Sequence, residues 1–225
     1  MPGPIPMSYL RSPIGLGRAA VVLLGLVIAV DLFAVYADFS LYDVTGDLVN
    51  GATGEAVFRR TDAVVSLDSL AGKVQLGSLA VCVIGYLCWF VRVRANAGVF
   101  DPGEQSLQPW WAVVGWFVPF LNLWYPRGIT LEIWDASGPE GTRRSHLLVN
   151  VWWTLWILSL IADWMGDLHY EERFGAGGNH AVAEFSLIAD VAEIVAAALA
   201  ILVVLRLTRM QHEKALARAG VRVEV

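Results

Sequence analysis

Four stretches of the chain are almost continuously apolar, with polar stretches between them. The runs Ala19–Ala37, Val74–Val91, Leu147–Met165 and Ala181–Leu205 approach or exceed the roughly 20 residues an α-helix needs to cross a bilayer core. They predict an all-α, polytopic helical membrane protein with four transmembrane helices, the membrane domain covering residues 18–211. Residues 1–17, proline-rich and without apolar period, read as a disordered tail, and residues 212–225 as a basic cytoplasmic tail. The first run follows Arg11 and Arg18, a pattern that also fits a signal peptide. Its length, and the later runs that hold the chain in a membrane anyway, favour an uncleaved helix.

The stretch from Trp110 to Trp134 differs from the four runs. It is aromatic and apolar, but proline interrupts it at Pro119 and Pro126, and Asn122 is polar. Proline removes a backbone donor and clashes with the preceding turn. The expectation over residues 110–136 is a broken helix, re-entrant or interfacial, with a break near Pro126 and an amphipathic helix through Trp134. A fifth, kinked span is the alternative. Charge separates the two. With the N-terminus inside and no fifth crossing, twelve of the 16 Lys and Arg lie inside: Arg11, Arg18, Arg92, Arg94, Arg127, Arg143, Arg144, Arg206, Arg209, Lys214, Arg218 and Arg222. Basic residues favour the cytoplasmic side, so both termini are expected there, in a multi-pass protein of the cell membrane. The connector Asp38–Lys73 reads as a polar loop marked by Gly46, Gly51 and Gly54, with a helix entering the second run from Thr61 or Asp62. Gly166–His180 reads as a second polar loop.

Composition agrees with the pattern. The 225 residues are 56% hydrophobic and 16% charged, below the roughly one quarter charged residues of a soluble domain. The net charge of −5 argues against a nucleic-acid surface. Ten tryptophans, many near the ends of apolar runs, suit an interfacial belt. Cys82 and Cys88 share one predicted helix and offer neither a disulfide nor a metal pattern.

Three carboxylates lie within apolar runs: Asp31 in the first, Asp190 and Glu193 in the last. Their distances from the helix ends put Asp31 and Asp190 at comparable depth, roughly 10–14 Å below the outer surface at 1.5 Å per residue. Ser186, Asp190 and Glu193 share one helix face at i, i+4 and i+7. Intramembrane carboxylates are costly, usually face the bundle interior and often mark proton or ion paths. The second run supplies Gln75, Ser78, Cys82, Gly85 and Tyr86 on one stripe. Two readings follow. The acids handle protons or a cation, or they bond to Gln75, Ser78 or Thr154 and only hold helices together. His169, Glu171, Glu172 and His180 match no standard metal spacing and read as a solvated acidic loop. Asn96 and Asn122, near Arg92, Arg94 and Arg127, could line a pocket for a lipid headgroup; interfacial anchoring is the plainer role. No phosphate-binding glycine loop, metalloprotease motif or paired nucleophile and base occurs, so no catalytic residue, metal or cofactor is expected.

Three blocks carry a resemblance. Arg94, Asn96 and Ala97 form RxNA. Gly115, Trp116, Phe117, Val118, Pro119, Asn122, Leu123, Trp124 and Pro126 form GWFVPxxNLWxP. Ile133, Trp134, Ala136 and Ser137 form IWxAS. With the closing Arg206-Leu207-Thr208-x-Met210-Gln211, the chain resembles, from about Ala19 to Gln211, a bacterial membrane-domain family of unknown function. Gly128 departs from the polar residue expected after Arg127. The resemblance implies the architecture and no activity. The expected function is a membrane interaction or scaffold module; the alternative is a small transporter or proton- or cation-coupled channel. Expected partners are the lipid bilayer, other membrane proteins or a second copy, and no nucleic acid.

Overall fold

The computed structural model describes residues 10–103, 105–139, 144–171 and 176–219, with the side chains of 169–171 and 176–179 left aside. The described residues are mostly helical and contain no strand. The order is α1 (Ile14–Val49), α2 (Glu55–Phe100), α3 (Trp111–Val114), a 3-10 turn over Leu121–Leu123, α4 (Tyr125–Ser137), α5 (Leu147–Glu171) and α6 (Ala176–Arg218). Four of these, α1, α2, α5 and α6, are long and apolar enough to cross a membrane.

The long helices exceed their apolar runs. At 1.5 Å per residue, the 36 residues of α1 extend about 54 Å and the 46 of α2 about 69 Å, against a hydrocarbon core of roughly 30 Å. The expected polar loop between Asp38 and Lys73 is therefore almost wholly helix. Only Asn50–Gly54 turns the chain, with Gly51 at φ 88° and Gly54 at φ 121°. Those values need glycine. Gly46 lies inside α1, and α2 starts at Glu55 rather than at Thr61. Helix also fills much of Gly166–His180. Most of the expected N-terminal tail, and the end of the C-terminal one, lie outside the described residues; α1 begins within the former and α6 runs on to Arg218 within the latter.

Each long helix contributes to two compact units. One comprises 24–81 and 152–198; the other comprises the chain up to Leu23, Cys82–Val151 and the chain from Leu199. In the first, Ala34 and Ala37 of α1 pack on Ala71 of α2, flanked by Phe33 and Leu67. Small residues let two helix backbones approach closely. Leu41 and Val44 pack on Ala183 of α6. His180 stacks on Tyr42 at 4.1 Å between ring centres, and its Nδ1 lies 3.1 Å from the Tyr42 carbonyl oxygen and 3.3 Å from Thr45 Oγ1.

The second unit holds the aromatic stretch. α3 gives out after one turn. The Trp116 and Phe117 N–H groups bond three residues back, to Val113 and Val114, which tightens the coil. A Cβ on Gly115 would lie 2.7 Å from the Trp111 carbonyl oxygen and 3.3 Å from Tyr125 Cβ, so this bend takes only glycine. At Pro119-Phe120-Leu121 the Leu121 N–H bonds the Pro119 carbonyl at 2.8 Å, and Phe120 has φ 65° and ψ −42°. This is the rare, strained form of γ-turn. Pro126 does not break a helix; it sits in the first turn of α4, where its missing donor has no intrahelical partner to lose. α4 then buries Pro126, Ile129, Thr130, Ile133, Trp134 and Ser137, one face at helical spacing. Its 13 residues make it the longest helix of the stretch, too short to cross a bilayer.

Candidate functional site

In the first unit, the polar positions of α1, α2, α5 and α6 enclose a cavity of about 440 Å³. Six carboxylates line it: Asp31, Asp38, Asp68, Asp163, Asp190 and Glu193. Gln75, Ser69 and Ser186 are the other polar lining residues, and no Lys, Arg or His joins them among the described residues. The rim includes exposed residues, among them Leu76 and Leu79 of α2.

Helical periodicity explains the convergence. Asp31 and Asp38 are seven residues apart on α1, as Asp68 and Gln75 are on α2, so each pair shares a face. Ser186, Asp190 and Glu193 supply the face of α6. Gln75 binds two of the walls together: its Nε2 donates to Asp190 Oδ1 at 2.9 Å and to Asp31 Oδ1 at 3.3 Å. Asp31 and Asp190 are only 2% and 7% exposed; the second carboxyl oxygen of Asp31 has no hydrogen-bond partner, whereas the Asp190 carboxyl lies within hydrogen-bonding reach of that of Asp38, a pairing that needs a shared proton. A buried acceptor left unsatisfied is costly. A proton or a bound cation would satisfy it.

The sequence places Asp31, Asp190, Glu193 and Gln75 in this group, and the structure brings all four to one cavity. Ser78 is not among the lining residues; its hydroxyl donates to the Gln75 carbonyl at 2.9 Å. Thr154 is exposed and also outside the lining. Asp38, Asp68 and Asp163 are additions. Asp38 and Asp68 fall in what reads as a connector, and Asp163 in a run otherwise dominated by tryptophan. The seven-residue spacings to Asp31 and Gln75 were the available signal. Among the described residues no three His, Cys, Asp or Glu close into a metal-holding group. The side chains of His169 and Glu171, and all of Glu172, lie outside the described residues. Cys82 is buried and Cys88 exposed, and neither is in a disulfide.

The motif residues gather in the second unit, where they bond to one another. Asn96 Nδ2 donates to Gln211 Oε1 at 3.0 Å and to the Arg11 carbonyl at 2.9 Å, while its Oδ1 accepts from the Arg11 N–H at 3.2 Å. Gln211 Nε2 donates to the Val93 carbonyl at 2.8 Å and to Ser137 Oγ at 3.1 Å. Arg94 donates to Gln105 Oε1 and to the Leu107 carbonyl. Trp134 and Ala97 are buried, and Trp89 Nε1 donates to Thr208 Oγ1 at 3.0 Å. Trp116 meets Tyr86 and Phe90 edge to face, at 5.6 and 5.9 Å. Phe117, Phe120 and Trp124 are instead more than 60% exposed. Asn96 is consumed by Gln211, Arg92 donates to the Ser12 carbonyl, and Arg127 donates to Asn150 Oδ1.

A family model described as a domain of unknown function, DUF4328, matches residues 51–209. No curated protein and no solved structure is significantly similar to the chain. The match includes α2 to α5 and most of α6 but omits α1. Of the cavity carboxylates, Asp68, Asp163, Asp190 and Glu193 lie within it, whereas Asp31 and Asp38 do not.

Proposed function

This chain belongs to the DUF4328 family, and we propose that it is a multi-pass membrane protein, both termini cytoplasmic, that carries a proton or a small cation through its carboxylate cavity. One observation carries the reading: among the described residues, six carboxylates and no basic side chain surround about 440 Å³, with a buried, unpartnered oxygen on Asp31 and the Asp38 and Asp190 carboxyls within reach of each other. Such a site repels anions and attracts cations, and its volume falls in the range of small-molecule pockets. The spread of the carboxylates suits protons or an organic ammonium better than a desolvated metal ion. A cation entering between Asp31 and Asp190 would compete with Gln75 for their oxygens and loosen the bridge between α1, α2 and α6.

The twelve basic residues assigned to the inner side support the orientation. The test is flux in proteoliposomes of the full-length protein, with a pH-sensitive dye inside and tetramethylammonium as the cation probe. Wild type should dissipate a pH gradient, with or without the probe. Asp190→Asn, which keeps an oxygen for the Gln75 amide, should not. Equal flux from both proteins and from empty vesicles would remove the transport reading.

A scaffold role is the second reading. Trp110, Phe117, Phe120 and Trp124, at 53 to 77% exposure, give it a docking segment. A photoreactive residue at Phe120 would test it in intact membranes. A discrete protein adduct, lost when Trp124 becomes Ala, supports this role; adducts to lipid alone reject it.

A further inference from the structure

A second cavity, in the unit that does not contain the carboxylates, has the opposite character. It measures about 550 Å³ and lies between the start of α5 and the later part of α6. Among the described residues, Arg144, Arg206 and Arg209 line it, with Leu148, Leu202, Leu205 and Met210 as its apolar part and Glu213 as its carboxylate. Leu202 and Leu205 are about half exposed, and the apolar run of α6 ends at Leu205, immediately before Arg206. A groove that is greasy along one stretch and cationic along the next has the polarity of one phospholipid: acyl chain first, phosphate second.

We infer that this groove is a binding site for an anionic phospholipid, the acyl chain along Leu148, Leu202 and Leu205 and the headgroup phosphate among Arg144, Arg206 and Arg209. The inference rests on the membrane placement but not on the carboxylate cavity, so either can fail alone. Charge complementarity selects the occupant. Among the described residues, three guanidiniums against one carboxylate leave a net positive lining, and arginine matches phosphate with paired donors. A zwitterionic lipid carries its own ammonium and loses that advantage. Arg206 is held in place by packing, its guanidinium carbon 5.4 Å from the Trp134 ring centre. Arg209 Nε bonds Glu213 at 2.6 Å, an exposed pair that a phosphate can displace at low cost. Basic pockets beside membrane helices on the cytoplasmic side commonly take anionic headgroups, and α6 carries its basic residues beyond its apolar run.

The experiment is thermal unfolding of the full-length protein in neutral detergent micelles doped with phosphatidylglycerol, phosphatidylcholine or inorganic phosphate. Phosphatidylglycerol should raise the melting temperature, and neither of the others should. Arg144→Gln with Arg209→Gln should lose most of that shift, read against the variant's own melting temperature without lipid. Arg59→Gln with Arg60→Gln, in the other unit, should keep all of it. An equal shift with phosphatidylcholine would make the groove a generic lipid contact and overturn the proposal. So would a full shift with phosphate alone, or a full shift retained by the Arg144 and Arg209 pair. Should that pair fail to fold, Leu202→Asn reads the same groove from its apolar side and should weaken the phosphatidylglycerol shift.

Discussion

Asn96 of α2 and Gln211 of α6 meet amide to amide, Asn96 Nδ2 donating to Gln211 Oε1 at 3.0 Å, and both side chains are buried. Together they also reach Arg11 before α1, Val93 on α2 and Ser137 at the end of α4. Packing and internal hydrogen bonds, rather than burial from water, hold helices together in lipid. Gln211→Ala should therefore lower stability by about 1–3 kcal/mol, the usual cost of orphaning buried polar groups. Asn96→Ala should do the same, and the double variant should cost less than the sum. Detergent-phase thermal unfolding of the three variants measures this; strict additivity would mean that the amides do not act together.

A Cβ on Gly17 would fall 2.6 Å from Thr208 Oγ1, the atom that accepts the Trp89 N–H. Threonine is stiff at χ1 and cannot step aside freely. Gly17→Ala should destabilise by about 1–3 kcal/mol, as overpacking does. Adding Thr208→Ala removes the obstacle and should recover part of the loss. A Gly17→Ala protein as stable as wild type would refute the close approach of α1 and α6.

Phe120 holds φ 65° while 77% exposed, so its side chain gains little from the fold in return for the strain. Phe120→Gly should stabilise the detergent-solubilised protein by about 1 kcal/mol, the lower end of what such a backbone costs. Pro119→Ala should not straighten the stretch, because α3 already ends at Val114, five residues before Pro119, and the turn at Phe120 does not depend on the missing Pro119 donor. Circular dichroism showing added helix in Pro119→Ala would contradict this.

Gln75→Lys places a cation between Asp31 and Asp190, where the amide now donates to both. The fixed ammonium should raise the melting temperature at neutral pH and abolish any response to tetramethylammonium. A lower melting temperature would mean that the ammonium costs more to bury than the carboxylates return.

Four helices and a broken aromatic segment were legible in the sequence, because continuous apolarity and proline act locally and leave little choice to the backbone. Asp31, Asp190 and Glu193 were legible for a related reason: a carboxylate inside an apolar run has few places to go except inward. The polar stretch from Asp38 to Lys73 misled, because loss of hydrophobicity signals departure from lipid and not the end of a helix. α1 and α2 pass through it, fixed by alanine contacts such as Ala37 on Ala71. Tertiary structure alone decided that Asp38, Asp68 and Asp163 join the cavity, since that depends on how neighbouring helices are rotated and staggered. It alone decided that Asn96, Ser137 and Gln211, far apart in sequence, satisfy one another. Their hydrogen-bonding capacity is written in the chain; their partners are set by helix packing.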